Sequence, residues 1–274
     1  MNKIGFVGCG NMCQALIGAI LRKGTVTADN IYGAVKHEAT VQKVLKEYPG
    51  IHITTDITET TKPCGIVFLG VKPQNALEVL DVMKESWSQE KILVSICAGI
   101  VIPTLEEHLP AGAKVVRVMP NMPCLIGEMA AGYSLNESCT EEDDKRVKEV
   151  LSAAGVAYKI PECQIDAVAA ISGSGPAYVA YLIQEFARAG VRAGLPEDIA
   201  AGLALQTFKG TSDMLTETGM TAQTLIDKVT SPKGTTLAGR QILENGQIPA
   251  IFNGTVDASI KRAKELCEDA KKKK

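Results

Sequence analysis

The first 160 residues alternate short apolar runs with stretches of helical periodicity. The apolar runs have the length and the Val and Ile content of buried parallel strands, and they occupy residues 4–7, 31–35, 51–54, 66–71, 92–96 and 115–119. Helices are predicted between them, including 11–20, 39–48 and 140–153, and 132–135 is predicted as an edge strand. Strands that alternate with helices indicate right-handed βαβ crossovers and a mostly parallel sheet.

Beyond residue 160 the pattern is helical only. Alanine and other small residues recur over 167–193 and 199–215, and Pro176 and Pro196 stand at helix starts. Amphipathic helices of this kind pack against something larger, because so short a domain buries little apolar surface by itself. We predict an α/β, Rossmann-type domain over residues 1–160. An all-helical domain over 161–274 is predicted to form a homodimer, with higher oligomers of dimers left open.

Composition excludes several classes of function. The chain has 274 residues, 46% hydrophobic residues and a formal net charge of -2, which argues against a nucleic-acid partner. Its longest apolar run, 92–102, is shorter than the roughly 20 residues that span a membrane. The chain enters its first strand at once, so no signal peptide is expected. We expect a cytoplasmic protein that binds neither nucleic acid nor membrane.

The cysteines and histidines agree with that interpretation. The chain has 8 cysteines without a C-x-x-C pair, and several, such as Cys97, lie inside apolar runs. That usage is typical of buried, reduced thiols in a cytosolic protein. With only 3 histidines, neither a metal site nor a histidine-activated nucleophile is predicted.

A glycine turn follows the first predicted strand. Gly8 permits a tight turn, and Gly10 lets the backbone approach a pyrophosphate, which then meets the free N–H groups of a helix N-terminus. The third small position is Cys13, which is small enough for a helix to pack on a strand. G-x-G-x-x-G spacing gains specificity from a strand before it and a helix after it. We therefore predict a dinucleotide site.

The end of the second strand is predicted to select the cofactor. A carboxylate there would bind a ribose 2′-hydroxyl, but the strand runs into Lys36 and His37, and the first acid is Glu38. Lys36 and His37 suit a 2′-phosphate, so we predict NADPH, with NADH possible. An exposed polar loop without a ligand would have the same residues.

Other strand ends supply further candidate cofactor residues. Lys72 and Pro73 follow the run 66–71, and Cys97 and Ala98 follow the run 92–96. Ligands of open α/β sheets bind at the carboxyl ends of the strands. We therefore predict that these residues bind the cofactor together with the glycine turn.

Two later stretches carry candidate chemistry. The sequence SGSGPAY at 172–178 lacks the spacing of a nucleophile elbow; it predicts a glycine-rich break between helices, either structural or for close approach of a ligand. The sequence SPKGTT at 231–236 opens a helix running to Asn245. Unpaired N–H groups of Gly234, Thr235 and Thr236, with nearby hydroxyls, suit a carboxylate, although an ordinary capped helix is also consistent.

Segments in the same order along almost the whole chain resemble the pyrroline-5-carboxylate reductases. The matching segments are GFVGCGNM, FLGVKPQ, RVMPNMP, ISGSGPAY and VTSPKGTTLAG. The resemblance implies reduction of 1-pyrroline-5-carboxylate to L-proline by NADPH or NADH, in an obligate dimer with an intertwined helical domain. It places these residues on the cofactor: Val7, Gly8, Cys9, Gly10, Asn11, Met12, Val71, Lys72 and Pro73. It places Thr235 and Thr236 on the substrate.

Two positions depart from the family pattern. The family usually has Gly where this chain has Lys233, and it often has Asn where Ile57 follows Asp56. The first departure bears on the geometry and charge of the substrate turn, and the second on the adenosine contact.

The implied substrate agrees with the scarcity of histidine. A cyclic imine is basic enough to be partly protonated near neutral pH, so hydride transfer needs positioning and an anion clamp more than a strong acid. We predict that Ser231, Gly234, Thr235 and Thr236 bind the substrate. Thr236 is the predicted catalytic residue, since its hydroxyl could hydrogen-bond the ring nitrogen and relay a proton from water.

Three other interpretations compete with this one. β-Hydroxyacid dehydrogenases share the two-domain plan, but they resemble one another in a Lys-x-x-x-Asn pair early in the helical domain, and residues 161–186 contain no lysine. Reductases of other cyclic imines stay open. A non-enzymatic NADP sensor or scaffold is the third interpretation. It would not explain why the 231–236 turn occurs together with the glycine-rich stretch at 172–178.

Overall fold

An eight-stranded sheet lies at the centre of the N-terminal part of the chain. The computed structural model describes residues 3–272, with side-chain surroundings over 3–265. The strands are β1 Ile4–Val7, β2 Ile31–Ala34, β3 His52–Thr54, β4 Ile66–Leu69, β5 Ile92–Ser95, β6 Lys114–Met119, β7 Met129–Leu135 and β8 Gly155–Lys159. Their spatial order is β3-β2-β1-β4-β5-β6-β7-β8, and every neighbouring pair is parallel except β6 and β7. The predicted Rossmann-type α/β fold is confirmed.

Helices cover both faces of this sheet. They are α1 Asn11–Lys23, α2 Glu38–Glu47, α3 Ile57–Thr61, α4 Ala76–Lys84, α5 Ile102–Glu107 and α6 Glu141–Ser152. Leu16 of α1 packs with Phe6 and Phe68 on one face, whereas Leu80 of α4 packs with Leu69 on the other. Phe6 and Phe68 stack across β1 and β4 with their ring centroids 4.9 Å apart. Both faces are therefore buried, as the continuous apolar strands require.

The far side of the sheet differs from the sequence prediction. The predicted edge strand at 132–135 is the end of β7, which lies between β6 and β8, so its edge assignment is wrong. The edge strand β8 has no counterpart in the prediction. It lacks the continuous apolar run of a buried strand, because its outward-facing Val156 and Tyr158 are exposed. It begins at Gly155, where φ is +144° and a Cβ would lie 2.3 Å from the backbone nitrogen of Met129.

The helical part begins after β8. Its helices are α7 Ile165–Val168, α8 Gly175–Arg192, α9 Glu197–Thr218, α10 Ala222–Val229, α11 Thr235–Asn245 and α12 Ile248–Lys272. Pro176 and Pro196 stand at the starts of α8 and α9, as predicted. The predicted glycine-rich break is instead a π-helical turn, Ala169–Gly173 (the π turn), closed by a 2.8 Å bond from the Ser174 N–H to the Ala169 carbonyl.

Compactness divides the chain into two units. One contains the residues up to Ser174 and those from Ser259 onward, and the other is Gly175–Ala258. This division falls beyond the predicted boundary at 160/161. No helix among the described residues is long and apolar enough to cross a membrane.

The cysteine side chains that the structure describes are all free thiols. Cys9, Cys13, Cys64, Cys97 and Cys124 are buried, as predicted, and Cys139 is half-buried. Cys163 is exposed, contrary to that prediction, because it lies in the short turn that follows β8. The side chain of Cys267 lies outside the described residues.

Candidate active site

The turn between β1 and α1 requires glycine at its first position. Gly8 has φ +90°, and a Cβ added there would lie 2.6 Å from Val71 Cγ1 and 2.7 Å from the Val71 backbone nitrogen. The Gly8 N–H donates to the Ala34 carbonyl at 2.9 Å. A side chain would therefore meet both an unfavourable φ and a packed backbone.

The second glycine of the turn faces open space. Gly10 caps α1 in an extended conformation, with no side-chain cap bond and nothing within 4 Å of an added Cβ. The first N–H groups of α1, at Asn11 and Met12, thus have no side-chain acceptor. A helix N-terminus without a cap, reached over a glycine, is the arrangement that binds a phosphate group.

Cys13 packs α1 against the sheet, as predicted. A Cβ on Gly70, just after β4, would lie 2.1 Å from Cys13 Sγ, so the sulfur fills the space that a side chain at residue 70 would need. Burial raises the pKa of Cys9 to about 12 and that of Cys13 well above its usual range. Both thiols therefore stay neutral, and neither places a negative charge beneath the turn.

The candidate cofactor segments emerge at one edge of the sheet. Val7 is in register with Ala34 and with Leu69, and Leu69 is in register with Ser95, so four parallel strands end side by side. The order changes direction between β1 and β4, and dinucleotides bind at such a switch point. The cofactor residues predicted from the sequence thus lie at or beyond the ends of strands that end together.

The side chains along this edge differ in accessibility. Lys36, His37, Lys72 and Pro73 are exposed. Pro73 opens a short 3-10 turn, Pro73–Asn75, rather than α4 itself, which begins at Ala76.

Two further predicted cofactor residues follow β5. Cys97 is buried, and its Sγ lies 3.3 Å from the Val71 carbonyl and 3.5 Å from the Leu69 carbonyl. Burial raises its pKa to about 11. The Cys97 side chain therefore faces the protein, whereas Ala98 is exposed at the edge.

The departure at Ile57 lies at the start of α3. Asp56 caps α3, because its Oδ1 accepts the N–H groups of Thr58 at 2.7 Å and of Glu59 at 3.1 Å. Ile57 is the first residue of that helix. The loop after β3 is thus folded by a helix cap.

Asn121 is a buried polar residue that the sequence analysis did not single out. It follows β6 and is 6% exposed. Its Oδ1 accepts the Ala130 N–H at 2.9 Å, and its Nδ2 donates to the Ser172 carbonyl in the π turn at 3.1 Å. Only its place in the segment RVMPNMP hinted at a role, since its two partners lie far from it in the sequence.

The candidate substrate turn lies in the other unit and opens α11. Gly234 is the N-cap and makes no side-chain cap bond, so the N–H groups of Thr235 and Thr236 lack a side-chain acceptor. The Gly234 N–H donates to the Ser231 carbonyl at 3.0 Å. It was predicted to be unpaired, and that prediction is wrong because the turn closes on itself. An ideal Cβ on Gly234 would lie 2.3 Å from Ser231 Oγ, so the hydroxyl is held beside the helix N-terminus.

The family difference at Lys233 leaves the turn in a glycine-like conformation. Lys233 has φ +61°, in the left-handed region that favours glycine. It is exposed, like Ser231, Thr235 and Thr236. The turn thus has the backbone conformation that a glycine at residue 233 would favour, and the lysine there is strained.

No group of three or more His, Cys, Asp and Glu side chains among the described residues is arranged to hold a metal ion.

Known proteins resemble both parts of the chain. Residues 162–266 match the family described as pyrroline-5-carboxylate reductase dimerisation, and residues 3–99 match the family described as NADP oxidoreductase, coenzyme F420-dependent. A pyrroline-5-carboxylate reductase of Methanosarcina acetivorans is 40% identical over 96% of this chain and 97% of its own length. One from Arabidopsis thaliana is 37% identical over 97% and 96%.

Solved structures give the same result. A pyrroline-5-carboxylate reductase of Coxiella burnetii superposes with a TM-score of 0.92 at 29% identity, over 97% of this chain and 98% of that one. The Plasmodium falciparum pyrroline carboxylate reductase, solved with NADP bound, has a TM-score of 0.83 at 32% identity, with the same coverage of 97% and 98%.

Proposed function

This chain belongs to the pyrroline-5-carboxylate reductase family, and we propose that it reduces 1-pyrroline-5-carboxylate to L-proline by hydride transfer from NADPH. This is the last step of proline biosynthesis. The observation that carries the proposal is a pair of glycine-opened helix N-termini without side-chain caps, at α1 and at α11. One suits the pyrophosphate of a dinucleotide, and the other suits the carboxylate of the imine.

The residues of the first turn fit a dinucleotide. The open space at Gly10 leaves room for a pyrophosphate, and the N–H groups of Asn11 and Met12 would donate to it. Lys36 and His37 are exposed beside the end of β2, where they would attract a 2′-phosphate. The nicotinamide cofactor supplies the hydride when it is bound. The chain holds and orients it.

The second turn would hold the substrate. The N–H groups of Thr235 and Thr236 and the hydroxyl of Ser231 would bind the carboxylate, and the Ser231–Gly234 bond keeps the turn closed around them. Anions at a helix N-terminus are stabilised by the donors and by the helix dipole together.

Thr236 would act on the ring nitrogen. A partly protonated imine needs no strong acid, so a hydroxyl that accepts or donates a hydrogen bond is sufficient to orient the ring and to relay a proton from water. This role agrees with a site that contains no histidine.

The helical part would form the dimer. Large apolar side chains of residues 175–258 are exposed in the single chain, among them Tyr181, Phe186, Leu203, Leu205 and Ile242. Soluble monomers rarely expose so much apolar surface. An apolar groove of about 710 Å³ between α9 and α10 adds to it. We propose that residues 161–274 form a two-fold homodimer, which sedimentation at micromolar concentration would test; a folded, active monomer would contradict it.

We also propose a cytoplasmic protein without a nucleic-acid partner. The net charge of -2 favours a protein without a nucleic-acid partner, and the buried free thiols favour the cytoplasm.

A substrate panel tests the proposed reaction. NADPH oxidation is followed with pyrroline-5-carboxylate and with 1-pyrroline, and NADP reduction with several 2-hydroxy and 3-hydroxy acids. Loss of two hydrogen bonds to a charged group costs about 3–6 kcal/mol, so we expect kcat/KM for 1-pyrroline to be on the order of 10²–10⁴ lower. Equal rates with both imines would indicate a general cyclic imine reductase, and turnover of a hydroxy acid would indicate a dehydrogenase.

The cofactor preference has its own test. We expect kcat/KM to be higher with NADPH than with NADH, and Lys36→Ala to reduce the difference, because the cation near the 2′-phosphate is lost. A preference for NADH in the wild type would contradict the assignment and would point to Glu38 as the ribose ligand.

A further inference from the structure

Asn121 links the end of β6 to the π turn. Its carboxamide uses both of its groups, accepting from the Ala130 N–H at 2.9 Å and donating to the Ser172 carbonyl at 3.1 Å. The π turn also packs on the same strand, since a Cβ on Gly173 would lie 2.6 Å from Met119 Cε. On another side, the Ser174 and Ser259 hydroxyl oxygens are 3.4 Å apart. The position of the π turn is thus set by side chains rather than by the helix ladder alone.

This turn lies on one half of the cofactor edge. β6 is parallel to β5, and Ser95 is in register with Arg117, so Met119 and Asn121 extend past the point where β5 ends. In a dinucleotide fold the adenosine half lies on the β2 side of the switch point and the nicotinamide half on the other side. The β6 end therefore belongs to the nicotinamide side of the edge.

We propose that Asn121 is a positioning residue for hydride transfer, because its carboxamide fixes the π turn at the nicotinamide side of the cofactor edge. The inference rests on the proposed function. Asn121 does not itself touch substrate or cofactor in this role. It acts through the backbone of the π turn, and π-helical turns occur frequently at functional sites.

The physical reason lies in the tolerance of hydride transfer to misplacement. A displacement of about 1 Å in the groups that orient the reactants can reduce the rate about 100-fold. The pyrophosphate would be held elsewhere, by the turn at Gly8 and Gly10. Loosening the π turn should therefore reduce the rate of transfer much more than the affinity for NADPH.

Two variants of Asn121 and one matched control test the inference. Asn121→Asp keeps an acceptor for the Ala130 N–H but places an oxygen against the Ser172 carbonyl, and Asn121→Ala removes both bonds without adding a charge. The control is Asn136→Asp. Asn136 also bonds backbone groups with both ends of its carboxamide, to the Val115 N–H at 3.0 Å and the Ala113 carbonyl at 2.8 Å, but at the opposite end of β6. Its Nδ2 donates in addition to Glu106 Oε1 at 2.7 Å, so the aspartate of the control loses at least as many hydrogen bonds as the Asn121 variants.

Each full-length protein is assayed for kcat and KM with pyrroline-5-carboxylate, for NADPH Kd by fluorescence titration without imine, and for hydrogen exchange of the Ser174 amide. We expect both Asn121 variants to lower kcat about 10–100-fold, to leave KM and Kd within about 3-fold, and to speed exchange at Ser174. Asn136→Asp should keep kcat within about 2-fold of the wild type, even if it lowers the melting temperature as much as the Asn121 variants do.

Retention of kcat by the Asn121 variants would overturn the inference. So would a parallel loss in Asn136→Asp, which would indicate a general effect of stability, or a loss of NADPH affinity that accounts for the change. If Asn121→Asp does not fold, Asn121→Ala decides. Failure of the wild-type chain to reduce pyrroline-5-carboxylate would instead refute the proposed function, whereas hydrogen exchange at Ser174 would still report whether Asn121 holds the π turn.

Discussion

The turn before α1 begins against the core of the first unit, whereas the residues of the turn before α11 are mostly exposed. Around Gly8 the neighbours are Val71, Ala34 and the packed pair of Cys13 and Gly70. Around Gly234 the contacts shown are to Ser231, and the flanking residues are exposed. Both turns leave helix N–H groups without side-chain caps, but only the first is held by close packing around its leading glycine.

This difference predicts which property a substitution in each turn should change. At Gly8 of the α1 turn, a methyl group should change the free energy of unfolding and cofactor binding together. In the α11 turn, a substitution should change the reaction while leaving the fold nearly unaffected. The following predictions run from the largest expected effect to the smallest.

Gly8→Ala should have the largest effect. The positive φ and the contact with the Val71 backbone should lower the free energy of unfolding by about 2–4 kcal/mol and abolish measurable NADPH binding. Gly10→Ala is the matched comparison: with nothing within 4 Å of the new Cβ, it should unfold like the wild type and yet bind NADPH more weakly. Denaturant unfolding and NADPH titration measure both. If Gly8→Ala were as stable as Gly10→Ala, the close packing of the first turn would not matter.

Thr236→Ala should affect the reaction alone. Loss of one hydrogen bond to a charged partner costs about 1.5–3 kcal/mol, so kcat/KM for the imine should fall about 10–100-fold. The melting temperature should stay close to that of the wild type, because the side chain is exposed. Thr236→Ser keeps the hydroxyl and should recover most of the activity. A melting temperature that fell with activity would show that the second turn is also a structural element.

Gly70→Ala should destabilise the first unit, and Cys13→Ala should rescue it. The new Cβ would overlap Cys13 Sγ, and such overpacking costs about 1–3 kcal/mol. Since Cys13→Ala removes the sulfur, the double variant should be more stable than the sum of the single changes implies. A double-mutant cycle of unfolding free energies measures this coupling. Simple additivity would mean that Cys13 does not fill the third small position of the cofactor turn.

Lys233→Gly should have the smallest effect and the opposite sign. It removes the strain of φ +61° but adds glycine's extra freedom in the unfolded chain, so the free energy of unfolding should rise by at most about 1 kcal/mol. Activity should persist, with a weaker dependence on salt because an exposed charge has been lost. Thermal unfolding and kcat/KM at two salt concentrations check both points. A large loss of activity would give the Lys233 charge a direct role in binding.

The sequence predicted those elements whose burial is written in a local pattern. β1, β4 and β5 are continuous apolar runs, and the α1 turn carries Gly8 at the position where φ is +90°. The edge strand β8 carries no such pattern, because its apolar side chains face outward. The π turn was predicted only as a break between helices. The sequence SGSGPAY does not specify which backbone carbonyl accepts a hydrogen bond from which donor.

Lys91 shows the same limit in the core. It is 6% exposed, and its Nζ donates to the carbonyls of Thr61, Lys62 and Cys64 at 2.8–2.9 Å, so it caps the end of α3. Burial lowers the pKa of its ammonium. From residue type alone, a lysine would be expected at the surface.

The sequence by itself determined the alternation of strands and helices as far as α6, the two glycine turns, and the family to which they belong. The tertiary structure decided the strand neighbours of β7, the exposure of Cys163, and the partners of Asn121 and Lys91. Strand, turn and helix follow from residues close together in the chain, whose periodicity and allowed φ are local properties. A buried amide or ammonium is satisfied by carbonyls brought near only by packing, and nothing in the neighbouring sequence specifies which carbonyls those are.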